Sequence, residues 1–198
     1  MEIATGEAKP QAEAAVRYQI DTKRSTFTIQ AFSTGLLSAF GHNPRIAARD
    51  VQGDVTLAMS GGTLQGAALH LGIRADSLEV IDDISAKDRQ EIERQMKQDV
   101  LDTGHYPEIL YECSKVTGNG NGDRFGATLQ GELTLHGETH SQSVSARVVI
   151  SGDSLRASGE FTVRQSGYGI APVKVAGGAI KLKDEVKCTF DIAARKQE

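Results

Sequence analysis

Residues 125–135 read Phe-Gly-Ala-Thr-Leu-Gln-Gly-Glu-Leu-Thr-Leu, and they decide the fold class. Phe125, Ala127, Leu129, Gly131, Leu133 and Leu135 fall on one face, opposed by Thr128, Gln130, Glu132 and Thr134. Successive side chains of a strand point to opposite sides. An apolar–polar period of two is therefore a strand with one face in a core and one in water, the usual state of an antiparallel sheet.

The same period recurs on both sides of this stretch. Upstream it runs through Phe27, Ile29 and Ala31; through Val51, Gly53, Val55, Leu57 and Met59; through Ala67, Leu69, Leu71 and Ile73; and through Ile109, Tyr111 and Cys113. Downstream it continues in Val144, Ala146, Val148 and Ile150, in Ala157, Gly159, Phe161 and Val163, and in Val186, Cys188, Phe190 and Ile192. Tyr18 and Ile20 supply a ninth, shorter segment. Ser60-Gly61-Gly62, Gly118 to Asp123 and Ser151-Gly152-Asp153 are short connectors rich in residues that tolerate positive φ, and they suit hairpins. Parallel neighbours would need crossovers of a dozen or more residues.

One connector is that long. Ser85 to Gly104 is the only convincing helix: Ser85 with Asp88 resembles a capping box, and Gly104 offers a C-terminal stop. Ile92, Met96 and Val100, with Leu101 alongside, form its apolar stripe. A lone amphipathic helix among many strands suits the cover of a sheet or the plug of a barrel. The architecture is thus all-β and antiparallel with eight to nine strands, as a barrel or a sandwich.

Composition narrows the function. The 198 residues carry 22 Lys+Arg against 26 Asp+Glu, a net charge of −4, which leaves no basic footprint for nucleic acid. No run approaches the ~18 apolar residues of a membrane span, so stable membrane insertion is not expected. The two cysteines, Cys113 and Cys188, lie on apolar faces outside any metal-ligand spacing and read as buried small hydrophobes, although a pairing between them stays open. The inward faces mix large residues (Phe27, Tyr111, Phe161, Phe190) with small ones (Ala31, Gly53, Ala127, Gly131, Gly159). That mixture fits tapered packing or an unfilled cavity; in the second case Gly53, Gly131 and Gly159 leave room rather than fill it. An eight-stranded barrel is wide enough to hold one small ligand.

Several stretches resemble the YceI-like domain family. Tyr18-Gln19-Ile20-Asp21 with Ser25-Thr26-Phe27 is similar to its first strand, and Asp99-Val100-Leu101-Asp102 with Tyr106-Pro107-Glu108-Ile109 to its helix end and strand entry. Residues 131–139, Gly-Glu-Leu-Thr-Leu-His-Gly-Glu-Thr, resemble its central hairpin, and residues 159–164 with Tyr168-Gly169-Ile170, then Asp184-Glu185-Val186, its closing strands. The likeness spans about residues 17–193 in the family's order. It implies a lipocalin-like antiparallel barrel of eight to nine strands with one amphipathic helix over it. It also implies a long-chain lipid or isoprenoid ligand along the axis, no metal, no cofactor, no settled catalysis, and a homodimer. A true lipocalin is disfavoured, since the chain has no tryptophan. Family members are mostly exported, whereas Met1–Ala15 lacks the basic start and apolar run of a signal peptide. That points to a cytoplasmic protein, or to a periplasmic one if the natural start lies further upstream. Gly41-His42-Asn43-Pro44, and Gly167 where an acid is common, depart from the family pattern.

The expected organisation is a flexible leader over 1–15, a barrel domain over 16–193 and a tail over 194–198. The expected function is non-enzymatic binding, sequestration or transport of a long-chain amphipathic lipid, polyisoprenoid-like, in a hydrophobic cavity. Phe27, Ile29, Val55, Leu57, Leu69, Leu71, Ile109, Tyr111, Leu129, Leu133, Val148, Phe161, Val163 and Phe190 would line it, and the helix would cap it with Met96 and Val100. Two rivals remain: an enzyme acting on an apolar substrate at a barrel mouth near His42, and a ligand-free interaction module. His136 and His140 have the spacing of a helical metal pair but sit in a strand-turn, so a structural hydrogen bond is the better reading of His136. His105 suits the negative end of the helix. Asp82, Asp83 and Asp88 read as solvated acids before the helix N-terminus. No nucleophile elbow, phosphate loop or dinucleotide fingerprint is present.

Overall fold

The computed structural model describes residues 15–34, 43–60, 63–121, 123–171, 173–175 and 180–197. In chain order its strands are β1 (Val16–Ile20), β2 (Thr26–Gln30), β3 (Ser33–Thr34), β4 (Arg45–Ala48), β5 (Val51–Ser60), β6 (Thr63–Arg74), β7 (Leu78–Val80), β8 (Glu108–Asn121), β9 (Arg124–Leu135), β10 (Glu138–Ser151), β11 (Ser154–Arg164), β12 (Lys174–Val175), β13 (Ile180–Leu182) and β14 (Glu185–Lys196). The helix α1 (Ala86–Gln95) stands between β7 and β8.

Every pairing is antiparallel, and the order β1-β5-β6-β8-β9-β10-β11-β14 closes on itself because β14 also pairs β1, with Tyr18 opposite Lys196 and Ile20 opposite Ala194. The result is an eight-stranded barrel with one helix, the lipocalin-like architecture that the alternation and the family likeness anticipate. β14 holds two partners along one edge: its end pairs β1, while Lys187 to Asp191 pair β2. From β2 the sheet continues through β4 to β7, so a three-stranded flap leaves the barrel at one end. β12, β13 and β3 form a separate small sheet.

All nine alternating segments of the sequence are strands, with three differences of detail. First, the Phe27 segment (β2) lies outside the closed eight. A turn after β1, closed by Arg24 N–H donating to the Asp21 carbonyl, hands the edge of β14 from β1 to β2. Second, Gly118 to Asn121 belong to β8 rather than to a turn, with Gly118 opposite Ala127 and Gly120 opposite Phe125. Third, β14 runs to Lys196, so the barrel continues past residue 193 and Ala194, 2% exposed, is core rather than tail. Of the leader proposed over residues 1–15, residues 1–14 lie outside the described set.

The helix also ends differently. Ser85 caps α1 by accepting the Asp88 N–H, as expected. Beyond Gln95, however, Met96–Val100 form a π turn in which Leu101 N–H donates to the Met96 carbonyl. The chain then reverses at Asp102, at φ 44°, and not at Gly104. Asp102 bears the local cost of a left-handed residue, and its carboxylate meets His105 Nδ1 at 2.9 Å. His105 therefore faces that carboxylate instead of the helix carbonyls.

The register fixes which loops share an end. At one end lie the β5–β6, β8–β9 and β10–β11 hairpins, together with β1 and the close of β14. Tyr18, Ile20, Leu57, Leu155, Ile192 and Ala194 pack there into one apolar cluster. The opposite end carries the β9–β10 turn, the entry to β8, the close of β11, and α1 between β7 and β8.

Candidate ligand-binding cavity

Inside the barrel, from this cluster to the helix, lies a cavity of about 550 Å³. All sixteen residues named from sequence line it: Phe27, Ile29, Val55, Leu57, Leu69, Leu71, Met96, Val100, Ile109, Tyr111, Leu129, Leu133, Val148, Phe161, Val163 and Phe190. They come from β2, β5, β6, β8, β9, β10, β11, β14 and the π turn, each projecting inward by the pleat of its strand or the stripe of the helix. The alternation is interrupted where the pairing is irregular, at Ala58/Met59 between β5 and β6 and again in β8. A bulge in β8 between Cys113 and Lys115 shifts the phase, so Val116 rather than Lys115 turns inward and no lysine enters the cavity.

The inward glycines do not leave free space. A Cβ on Gly131 would stand 2.7 Å from the Tyr111 ring and hydroxyl, and one on Gly159 would stand 2.7 Å from the Phe190 ring directly opposite. At Gly53 it would meet the His70 carbonyl and the Ile20 side chain. The expectation that these glycines open the cavity is corrected: each is closely approached by its neighbours, and at Gly131 and Gly159 an aromatic ring covers the bare backbone. Tyr111 illustrates the purpose. By lying across Gly131 its hydroxyl reaches β10 and donates to the Gln142 carbonyl at 3.0 Å. The ring stays in the wall, 7% exposed, and burial pushes the phenol well above its usual range.

The wall contains the two thiols' strands but no disulfide; both cysteines are free and buried. Cys188 faces the cavity, and burial pushes its thiol up to about 12. Cys188 is therefore not a poised nucleophile, which would need a lowered pKa.

Polar groups line the cavity at one end alone. Among the described residues they are Asp88, Glu91 and Gln95 on α1 and Gln165 in the short 3-10 turn Gln165–Tyr168 that follows β11. The sequence reading missed these four. Asp88, Glu91 and Gln95 recur at i, i+3 and i+7 beside the Ile92–Met96 stripe, and that spacing would have placed them on the inward face. Asp82 was also undervalued: its carboxylate accepts both the Arg45 N–H, at 2.7 Å, and the Arg45 guanidinium, at 2.9 Å, which fixes β4 beneath the helix.

The histidines hold structure together. His136, at φ 52°, and Gly137 form the two-residue β9–β10 turn, and the His136 Nδ1 lies 3.2 Å from the Tyr168 carbonyl. The Tyr106 ring lies 4.4 Å from the His136 ring and covers Gly137, while His140 stands edge-on to Tyr168 at 5.0 Å. Three sequence stretches that each resemble the family, around Tyr106, His136 and Tyr168, thus meet at one corner beside the mouth. Among the described residues no group of three or more His, Cys, Asp or Glu could hold a metal ion. His42 lies outside the described residues, and no helix among them is long and apolar enough to cross a membrane.

The family model of the YceI-like domain matches residues 18–194, nearly the whole barrel. The chain belongs to the YceI-like domain family. No curated protein sequence matches it. Solved structures similar to this YceI-like chain share its fold at low identity. BcnA of Burkholderia cenocepacia is 15% identical with a TM-score of 0.66, over 88% of this chain and 98% of its own. A polyisoprenoid binding domain from Saccharophagus degradans, implicated in plant cell wall breakdown, is 13% identical with a TM-score of 0.65, over 91% and 98%. The YCEI protein of Campylobacter jejuni is 12% identical with a TM-score of 0.59, over 80% and 88%.

Proposed function

We propose that this YceI-like protein binds and sequesters a long-chain amphipathic lipid of polyisoprenoid type, with the chain in the barrel and the head at the helix end, and breaks no bond. One observation carries the reading: a cavity apolar along its length, with the polar side chains among its described lining residues gathered at the helix end. A single-chain amphiphile has that distribution of polarity. The volume of about 550 Å³ has room for on the order of twenty methylene-sized groups at about 30 Å³ each. At roughly 0.8 kcal/mol per buried methylene, even part of such a chain outweighs the cost of association. The polyisoprenoid binding domain of Saccharophagus degradans, with the same fold, lends support from a relative.

The test is native mass spectrometry of the protein as purified, after organic extraction, and after incubation with geranylgeraniol. The expected result is an added mass that extraction removes and geranylgeraniol restores. Protein that carries nothing as purified and takes up nothing afterwards would overturn the reading in favour of a ligand-free module.

A further inference from the structure

Among the described residues, the polar side chains at the mouth of the cavity offer more hydrogen-bond acceptors than donors. Four polar side chains line it, and three of the four N–H groups on their two amides are committed to neighbouring protein groups. Gln95 Nε2 donates to Glu91 Oε1 at 2.7 Å. Gln165 Nε2 donates to the Lys183 and Asp184 carbonyls, at 3.3 Å each. These bonds also fix which end of each amide is oxygen. Asp88 and Glu91 are carboxylates, and Arg94 with Gln95 holds the Glu91 carboxyl below its ordinary range, so it is ionised at neutral pH. Oxygen therefore predominates among the polar groups of the mouth: two carboxylates and two amide carbonyls, against one remaining amide N–H on Gln95.

The sequence of α1 does not require this. Its ten residues, Ala-Lys-Asp-Arg-Gln-Glu-Ile-Glu-Arg-Gln, balance three cations against three anions. The helix nevertheless turns Asp88 and Glu91 inward, while Lys87, Arg89 and Arg94 do not line the cavity. Arg94 is held by Glu91 at 2.8 Å and Arg89 by the Asp82 carbonyl at 2.8 Å. No lysine or arginine lines the cavity among the described residues.

We infer that this mouth selects the ligand's head group: it takes a head that donates hydrogen bonds and carries no negative charge, and it turns away the phosphate ester of the same chain. The inference rests on the lipid-binding reading above and adds its head-group chemistry. A hydroxyl or an ammonium can donate to these oxygens. A phosphate brings further acceptors and two charges of the wrong sign, next to carboxylates that have no counter-cation to spare. Because Asp88 and Glu91 stand at the rim in contact with water, the repulsion is moderate, about five- to tenfold in affinity at low salt.

The experiment is a competition. Extracted protein is incubated with equimolar geranylgeraniol, geranylgeranylamine and geranylgeranyl phosphate, and the loaded species are counted by native mass spectrometry. The alcohol and the amine should each exceed the phosphate by about fivefold or more. The doubly substituted Asp88→Asn/Glu91→Gln protein, whose Ser85 cap is retained, should load the three nearly alike. If that variant does not fold, the same ratio is read on the native protein in rising salt, which should weaken the rejection. Equal or preferred loading of the phosphate overturns the head-group assignment while leaving lipid binding intact. Discrimination that survives both the double substitution and high salt also overturns it. Uptake of none of the three overturns the lipid-binding reading itself.

Discussion

Tyr111 and Gly131 show how much a single inward position can hide. Alternation puts both on the barrel's inner face, but it does not reveal that the phenol occupies the glycine's missing side chain, because the contact is diagonal across β8 and β9. Replacing Gly131 by alanine drives a Cβ within 2.5 Å of the Glu112 carbonyl as well as into the ring. We expect Gly131→Ala to destabilise the protein by about 1–3 kcal/mol, the range of an overpacked core. Tyr111→Phe keeps the ring, loses the donor to Gln142, and should cost about 1 kcal/mol; chemical denaturation measures both. A cost for Tyr111→Phe above that of Gly131→Ala would contradict this account. Cys188 gives a pH dependence. Its thiol stays protonated in the folded protein to about 12, whereas in an unfolded chain it ionises near its usual value of about 8.5. Between those values the unfolded chain binds fewer protons, so stability is full below about pH 8.5 and falls as pH rises toward 12. The buried Tyr111, Tyr18 and Tyr168, all raised by burial, extend the fall once phenols begin to ionise. The slope of stability against pH between 8.5 and 10 should be shallower in Cys188→Ala than in the native protein. Identical slopes would show that Cys188 ionises without unfolding.

At the scale of elements, length governed what could be read. β5, β6, β8 to β11 and β14 repeat the period often enough to be unmistakable. β4 and β7 have four and three residues, with one large apolar side chain in the former, Ile46, and two in the latter, Leu78 and Val80. Their strand character comes from partners far along the chain: β2, each other, and the Asp82 carboxylate on the Arg45 N–H. The π turn was illegible for a related reason. Any run with apolar residues at Met96 and Val100 reads as α-helix, and only the barrel rewards a wider turn that also brings Leu101 to the lining. No residue of α1 itself is fully buried. The helix is fastened over the mouth by Glu93, which accepts the N–H of Val80 at 2.9 Å, so one carboxylate both covers the edge of β7 and holds the lid. An element with little buried surface and few fastenings opens more easily than the barrel beneath it. Glu93→Ala should raise the release rate of a bound neutral dye several-fold in stopped flow, with the thermal midpoint lowered only slightly, and Glu93→Gln, which keeps an acceptor oxygen, should restore slow release. Equal release rates in all three proteins would mean that α1 does not gate the cavity.

For the whole molecule, the contrast between the barrel's two ends separates a container from a merely packed core. The sixteen residues named from sequence all line the cavity, yet a list of inward residues is the same for a filled interior and a hollow one. What decides between them is whether opposing walls touch, which depends on barrel size and on where rings lie. Here a cavity runs inside the barrel from the cluster around Leu57 and Leu155 to the helix. Enlarging a residue has opposite consequences in a hollow interior and in a filled one. At Leu129, which lines the cavity midway along β9, a tryptophan would extend into open space, cover apolar wall and leave the thermal midpoint unchanged or raised. The same variant should lose most of its capacity for geranylgeraniol, since the added ring takes the path of the chain. In a filled interior Leu129→Trp would instead cost about 1–3 kcal/mol. Thermal unfolding and lipid loading, measured on the same preparation, distinguish the two: a marked loss of stability would show that the barrel is packed, whereas preserved stability with lost loading is the signature of a cavity built to hold a chain.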